Sequence, residues 1–208
     1  MNHMAGIRGT RAVLFLTLLR LTCASPAGRL EPPRRPPDHV WLVDLAGLSE
    51  SIRAASEQLV AAIFRQAGVD MSFVECLSAP GRPCRQPQGN AGLWLQILAQ
   101  RPRRVSSDAT GFAVLVRSGD PGYSYAAVSY PMVETAAADL EVPVAEVLAA
   151  SIAHELGHLL LHSSAHFRTG VMRPRVDRRQ IALLERGELL FTKEQSVRLV
   201  ARAAQFAP

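Results

Sequence analysis

The run from Pro143 to Leu161, "PVAEVLAASIAHELGHLLL", constrains this chain most, because it is strongly apolar yet carries His154, Glu155 and His158. Pro143 suits a helix start, and Val144, Val147, Leu148, Ser151, Ile152, Leu156 and Leu159 supply an apolar face, so one long helix is expected to Leu161. Residues four apart share a helix face about one turn apart. His154 and His158 can then each offer an imidazole nitrogen to one ion, and burying them unliganded beside a carboxylate would be costly. Glu155 follows the first of them directly, where it can take a proton from a water whose acidity the metal has raised. Gly157 and Ala153 leave space close to the helix for substrate or a packed neighbour.

Four of the six histidines fall between His154 and His166. A catalytic zinc wants a third protein ligand and one open position. His166 is favoured, because Ser163 and Ser164 lead the chain out of the helix and let it turn back. His162 is the alternative ligand, but on a straight helix it lies about 12 Å along the axis from His154. A later carboxylate, Glu185 or Glu188, is the third option. His39 reads as a strand-edge residue, not a ligand.

With H-E-x-x-H at His154–His158, the chain resembles the zincin metalloproteases, specifically the metzincin type, described by H-E-x-x-H-x-x-G-x-x-H and a later methionine turn. Thr169-Gly170-Val171-Met172 resembles that turn, while Leu161 stands at the usual glycine and Ser164 at the usual third ligand. The longer run "HELGHLLLHSSAHFRTGVM" is also similar to a group of predicted secreted bacterial proteins with a pattern close to H-E-x-G-H-L-L-L-G-x-x-x-H-x-x-x-G-I-M. His154, His158, His166 and Met172 align with it without a gap, and His162 stands where glycine is usual. Histidine tolerates a left-handed helix end. The match covers about 21 residues. The resemblance implies an α+β, zincin-like fold with a mixed twisted sheet packed on helices and a helical C-terminal part. It implies one Zn2+ per chain, Met172 as an apolar floor beneath the histidines, and a peptide or protein substrate cut with Glu155 as general base. A tyrosine that some metzincins place two residues after this methionine is Pro174 here, so an oxyanion donor would come from elsewhere, Tyr123, Tyr125 or Tyr130 being candidates. A non-catalytic zinc-stabilised binding module of the same fold is the alternative, and a non-peptidase hydrolase using the same zinc is a third reading.

The N-terminus reads separately. Arg8 and Arg11 precede "AVLFLTLLRLTCASPAG", of signal-peptide length and ending in small residues, although Arg20 interrupts it. Residues 1–24 are therefore expected to be a signal peptide, with cleavage after Ala24 or Ala27, and the mature protein to be secreted or periplasmic. Without the leader the formal charge falls from +5 to about +2, which removes most support for a nucleic-acid partner. No apolar run reaches the roughly 18–20 residues of a membrane span, so no stable membrane insertion is expected. Residues 25–38, with "EPPRRPP", read as a proline-rich spacer and 39–208 as one domain. Cys76 and Cys84 flank "LSAPGRP", a possible disulfide in an oxidising compartment.

The rest gives a coarse framework. "HVWLVDLAGL" reads as a strand suited to burial. Ser49 or Ser51 caps a helix with Ile52, Ala55, Leu59, Ala62 and Ile63 on one face, ended by Gly68. "VDMSFVECL" reads as a half-buried strand, Leu93–Gln100 and Gly111–Gly119 as two more, and Ala126–Tyr130 as a short one. Helices are expected near Arg178–Glu185 and after Thr192, where Gln195 completes a capping box. Arg-Pro-Arg-Arg at 101–104 reads as an exposed loop.

Overall fold

Local signals place the elements in the order strand, helix, three strands, strand, then helices. In the computed structural model of the chain, which describes residues 38–76, 92–103, 109–116 and 123–204, they are β1 (Asp38–Asp44), α1 (Glu50–Gln66), β2 (Met71–Glu75), β3 (Leu93–Leu98), β4 (Gly111–Val114), β5 (Tyr125–Ser129), α2 (Tyr130–Leu140), α3 (Val144–Leu161), α4 (Arg178–Glu185) and α5 (Lys193–Ala203). The fold is α+β. The strand order is β2-β1-β3-β5-β4, with every neighbouring pair parallel except β4 and β5. All described residues fall within one unit, 35–208. Cys84 lies outside the described residues, and so does its expected pairing with Cys76. The leader and most of the spacer also lie outside them.

The turns follow from short polar side chains. The Asp44 carboxylate accepts from the backbone N–H groups of Ala46, Gly47 and Leu48 at 2.7–2.9 Å, which bends the chain from β1 toward α1. Of the two cap candidates, Ser49 accepts from the Ile52 N–H. Gly68, at φ +84°, follows the helix end as expected. Asp177 caps α4, and Thr192 and Gln195 form the capping box of α5.

Three readings need adjustment. The first strand is not buried on both faces: Val40 and Leu42 enter the core, whereas Trp41 sits on the other face beside Trp94, ring centroids 6.1 Å apart. The buried stripe of α1 is Ser56, Val60, Ile63 and Phe64, rotated from the expected one because the larger Val60 and Phe64 displace Ala55 and Ala62 from the core. Helix α2 went unread. Pro131 opens it, but its buried stripe is only Val133 and Ala137, too slight to mark a period.

Helix α3 is the centre of the molecule. It packs on β3, β4 and β5 and is touched by α1, α2, α4 and α5. Every residue from Val147 to Leu161 is buried. A helix surrounded on all sides has no solvent face and so reads as apolar throughout. Its 18 residues, of mean hydropathy 1.4, are long and apolar enough to cross a membrane, contrary to the sequence expectation, but most of them are buried inside the fold.

Phe64, fully buried and 5.0 Å between ring centroids from Phe191, joins α1 to the segment before α5. Phe64→Ala should cost about 3–5 kcal/mol in urea unfolding; a loss below about 1 kcal/mol would show that this contact does not hold the layers together.

Candidate metal centre

Two histidines four apart come from the last turns of α3, and the chain after it supplies the third. Helix α3 ends in a Schellman motif: the His162 N–H bonds the Leu159 carbonyl and the Ser163 N–H bonds the His158 carbonyl, both at 3.2 Å. His162 takes the left-handed conformation that this end requires, φ 46° and ψ 51°. Arg198 of α5 donates to the Leu161 carbonyl at 2.8 Å, completing the helix end. Ser163 Oγ then accepts from the Ala165 N–H at 3.2 Å, a tight local turn that brings His166 back toward the helix. From the other side, the Phe167 N–H donates to the Met172 carbonyl at 2.8 Å and closes the loop.

The outcome is a cluster in which one ligand atom each of His154, His158 and His166 lies within 4.8 Å of the others, so the three could hold a metal ion. Ring centroids are 4.6 Å apart for His154 and His158, 5.1 Å for His154 and His166, and 5.0 Å for His158 and His166. His162 is exposed and outside the cluster. No carboxylate joins it among the described residues; Glu188 pairs instead with Arg186. His39 is likewise elsewhere, its Nδ1 2.8 Å from Ser72 Oγ.

Tautomers follow from the partners. His154 Nδ1 is 2.9 Å from the Val171 carbonyl oxygen, and His158 Nδ1 is 2.6 Å from that of Ser163. A carbonyl only accepts, so each Nδ1 carries the proton and each Nε2 presents a lone pair. The two Nε2 atoms nevertheless face each other at 3.0 Å. Two lone pairs at that distance repel, and a cation between them reverses the sign. Bonds of 2.0–2.1 Å at a tetrahedral angle would put them about 3.3 Å apart, close to what is found. Burial, with minor help from the neighbouring imidazoles and against the Val171 hydrogen bond, lowers His154 to about 4. Burial likewise lowers His158. Both are therefore neutral near pH 7, the form a metal needs.

Glu155, 6% exposed, lies beside the cluster, and burial pushes its carboxyl up to about 8. Gly111 at the start of β4 makes room for it, since a Cβ there would come within 2.8 Å of Glu155 Cγ. No sequence signal marked that glycine. Gly157 serves a packed neighbour and not substrate: a Cβ on it would meet Met172 Sδ at 2.5 Å and Phe191 at 3.0 Å. Met172, fully buried, thus packs against α3 at Gly157, the residue before His158.

A cavity of about 340 Å3 opens on the cluster. Its lining includes Glu155, Thr110 and Ser151, the aliphatic Ala113, Ala136, Ala150 and Val176, and the cations Arg173 and Arg175. None of Tyr123, Tyr125 and Tyr130 lines it. Tyr123 and Tyr125 belong to the aromatic row with Trp94 and Phe112, which corrects the expectation that one of them serves the site.

Two outcomes test this geometry. His162→Gly should leave metal affinity unchanged and raise stability by up to about 1 kcal/mol, by relieving the left-handed residue, whereas His166→Ala should lose the metal; the reverse pattern would exchange their roles. In the metal-free protein, the folded pKa of Glu155 lies above its ordinary 4.5, so its contribution is full below that value and lost as pH rises through about 8. That of His154 lies below its ordinary 6.5, so its contribution is present above 6.5 and lost as pH falls through about 4. Glu155 therefore dominates between pH 6.5 and 8, where urea midpoints in chelator should fall as pH rises and Glu155→Gln should flatten the fall; an unchanged slope would show that Glu155 is not its source.

No family model, no curated protein and no solved structure matches this chain, so the reading of the centre rests on its own residues.

Proposed function

We propose that the chain is a zinc-dependent metallopeptidase of zincin, metzincin-like type, exported from the cytoplasm, and that it hydrolyses peptide bonds in a peptide or protein substrate. One observation carries the reading: two Nε2 lone pairs converge at 3.0 Å next to a third histidine, with a buried carboxyl beside them and a cavity opening on all four. Three imidazoles and no sulfur suit zinc, and three protein ligands leave the open position that catalysis needs. A purely structural site would want a fourth ligand, and His162 is turned away from that task.

Zinc bound there would supply a water of raised acidity and would polarise the scissile carbonyl. His154 and His158 hold it through Nε2, their orientation set by the Val171 and Ser163 carbonyls. Glu155 accepts the proton of the attacking water and returns it to the leaving amine. Burial alone raises Glu155, and a cation held by the three histidines would favour its carboxylate, the form a base needs. The substrate has a natural track. β4 is one of the two edge strands, paired only with β5 among the described residues, and Gly111, Phe112 and Ala113 line the cavity. An extended peptide can add to such an edge through main-chain hydrogen bonds, with its carbonyl brought toward Glu155 at Gly111.

Glu155→Gln keeps the shape of the side chain and removes its basicity. It should lower hydrolysis of an unfolded protein substrate by at least about 100-fold while zinc stays bound at one per chain. Undiminished hydrolysis would remove Glu155 as the base, and a wild-type chain that cuts nothing with zinc in place would favour the binding module.

A further inference from the structure

We propose that Gln180, which no motif marks, is a positioning residue for the metal centre: it holds the Gly170–Val171 peptide, and through it the direction of the Val171 carbonyl that meets His154. The inference rests on the zinc reading above and concerns how the first ligand is kept in place.

Gln180 sits in the first turn of α4 and is 3% exposed. Its backbone N–H is held by the Asp177 carboxylate at 2.9 Å, so its place is set by the helix cap. From there its Nε2 donates to the Gly170 carbonyl at 3.0 Å. The same peptide is gripped at its other end, where the Val171 N–H donates to the Leu190 carbonyl at 3.1 Å. The next carbonyl along, that of Val171, is the one that accepts from His154 Nδ1 at 2.9 Å. A carbonyl whose direction is set by its neighbouring peptide can orient a ligand only if that peptide does not turn.

Gly170 cannot anchor itself. It lies at φ +75°, and a Cβ on it would come within 2.4 Å of the Leu190 carbonyl oxygen. With no side chain to pack, the peptide is held by hydrogen bonds alone: the Gly170 carbonyl accepts from the Arg173 N–H of its own turn at 3.3 Å, and the shorter bond at 3.0 Å comes from Gln180. The other half of the Gln180 amide explains why the donor matters. Oε1 is buried without a hydrogen-bond partner, a cost that leucine or methionine at the same place would avoid. What glutamine adds there is the hydrogen bond to Gly170. Gln180 also lines the cavity, so the same side chain walls the space in which His154 and Glu155 act.

The test uses the full chain and inorganic Zn2+. Gln180→Met keeps length and burial and removes the donor, and Gln180→Leu removes it with another uncharged apolar side chain should the first variant fail to fold. Leu199→Ala is the control: Leu199 is fully buried in α5 and has no hydrogen-bonding group, so its loss weakens the fold without removing a hydrogen bond from the 170–171 peptide. Competition with a chromophoric chelator should show zinc bound about 10–100-fold more weakly by either Gln180 variant. The visible bands of the Co2+-substituted protein should shift as well, while Leu199→Ala keeps zinc affinity within about twofold despite a lower melting temperature. Zinc affinity within about twofold of wild type in a folded Gln180 variant, or an equal loss in Leu199→Ala, overturns the proposal. A wild-type chain that takes up no Zn2+ overturns the functional reading and this one together, and is thereby told apart from failure of the Gln180 role alone.

Discussion

Two hydrogen bonds from imidazole to backbone determine what the centre of this molecule can be. Because His154 and His158 each spend their only proton on a carbonyl that cannot give one back, both rings turn a lone pair toward the same point, 3.0 Å apart. In a buried helix such an arrangement is unfavourable by itself. It becomes favourable when a cation stands between the rings, and the surrounding structure follows from keeping that possibility open. The helix end, the turn at Ser163 and the loop closed by Phe167 and Met172 all place carbonyls and the third imidazole around it.

Helix α3 therefore plays two roles that conflict in principle. It is the core, touched by four other helices and three strands, and it carries the polar centre. The conflict is resolved at its edges. Gly157 lets Met172 and Phe191 close directly under the helix, and Gly111 lets β4 approach Glu155. Among the described residues, Arg53 with Glu50 and Glu75 and Arg65 with Asp70 pair away from the cavity and add little to stability, whereas Arg173, which lines it, pairs with Asp177 at the cap of α4.

Much of this was legible from residue types and spacing alone. His154 and His158 were paired by helical period, Glu155 was placed by following the first of them directly, and His166 was favoured over His162 and a later carboxylate because the chain leaves the helix and turns back. The left-handed His162 was legible through the resemblance, in which it stands where glycine is usual. What spacing does not report is contact between distant segments. Gly111 lies 44 residues before Glu155 and Gln180 lies 26 after His154, and neither sits in a pattern of its own. The rotation of the α1 stripe has the same origin: helical period gives a face, but the partner decides which side chains fill it, and here Phe191 selects Phe64. Spacing could not choose among Tyr123, Tyr125 and Tyr130, and none of them lines the cavity.

The central claim is that three imidazoles and no other side chain hold the metal. X-ray absorption at the zinc edge of the full-length protein tests it most directly. The expected result is one zinc per chain with three imidazole nitrogens and one oxygen donor at about 2.0–2.1 Å. A sulfur shell near 2.3 Å, or a fourth imidazole in place of the oxygen, would contradict it.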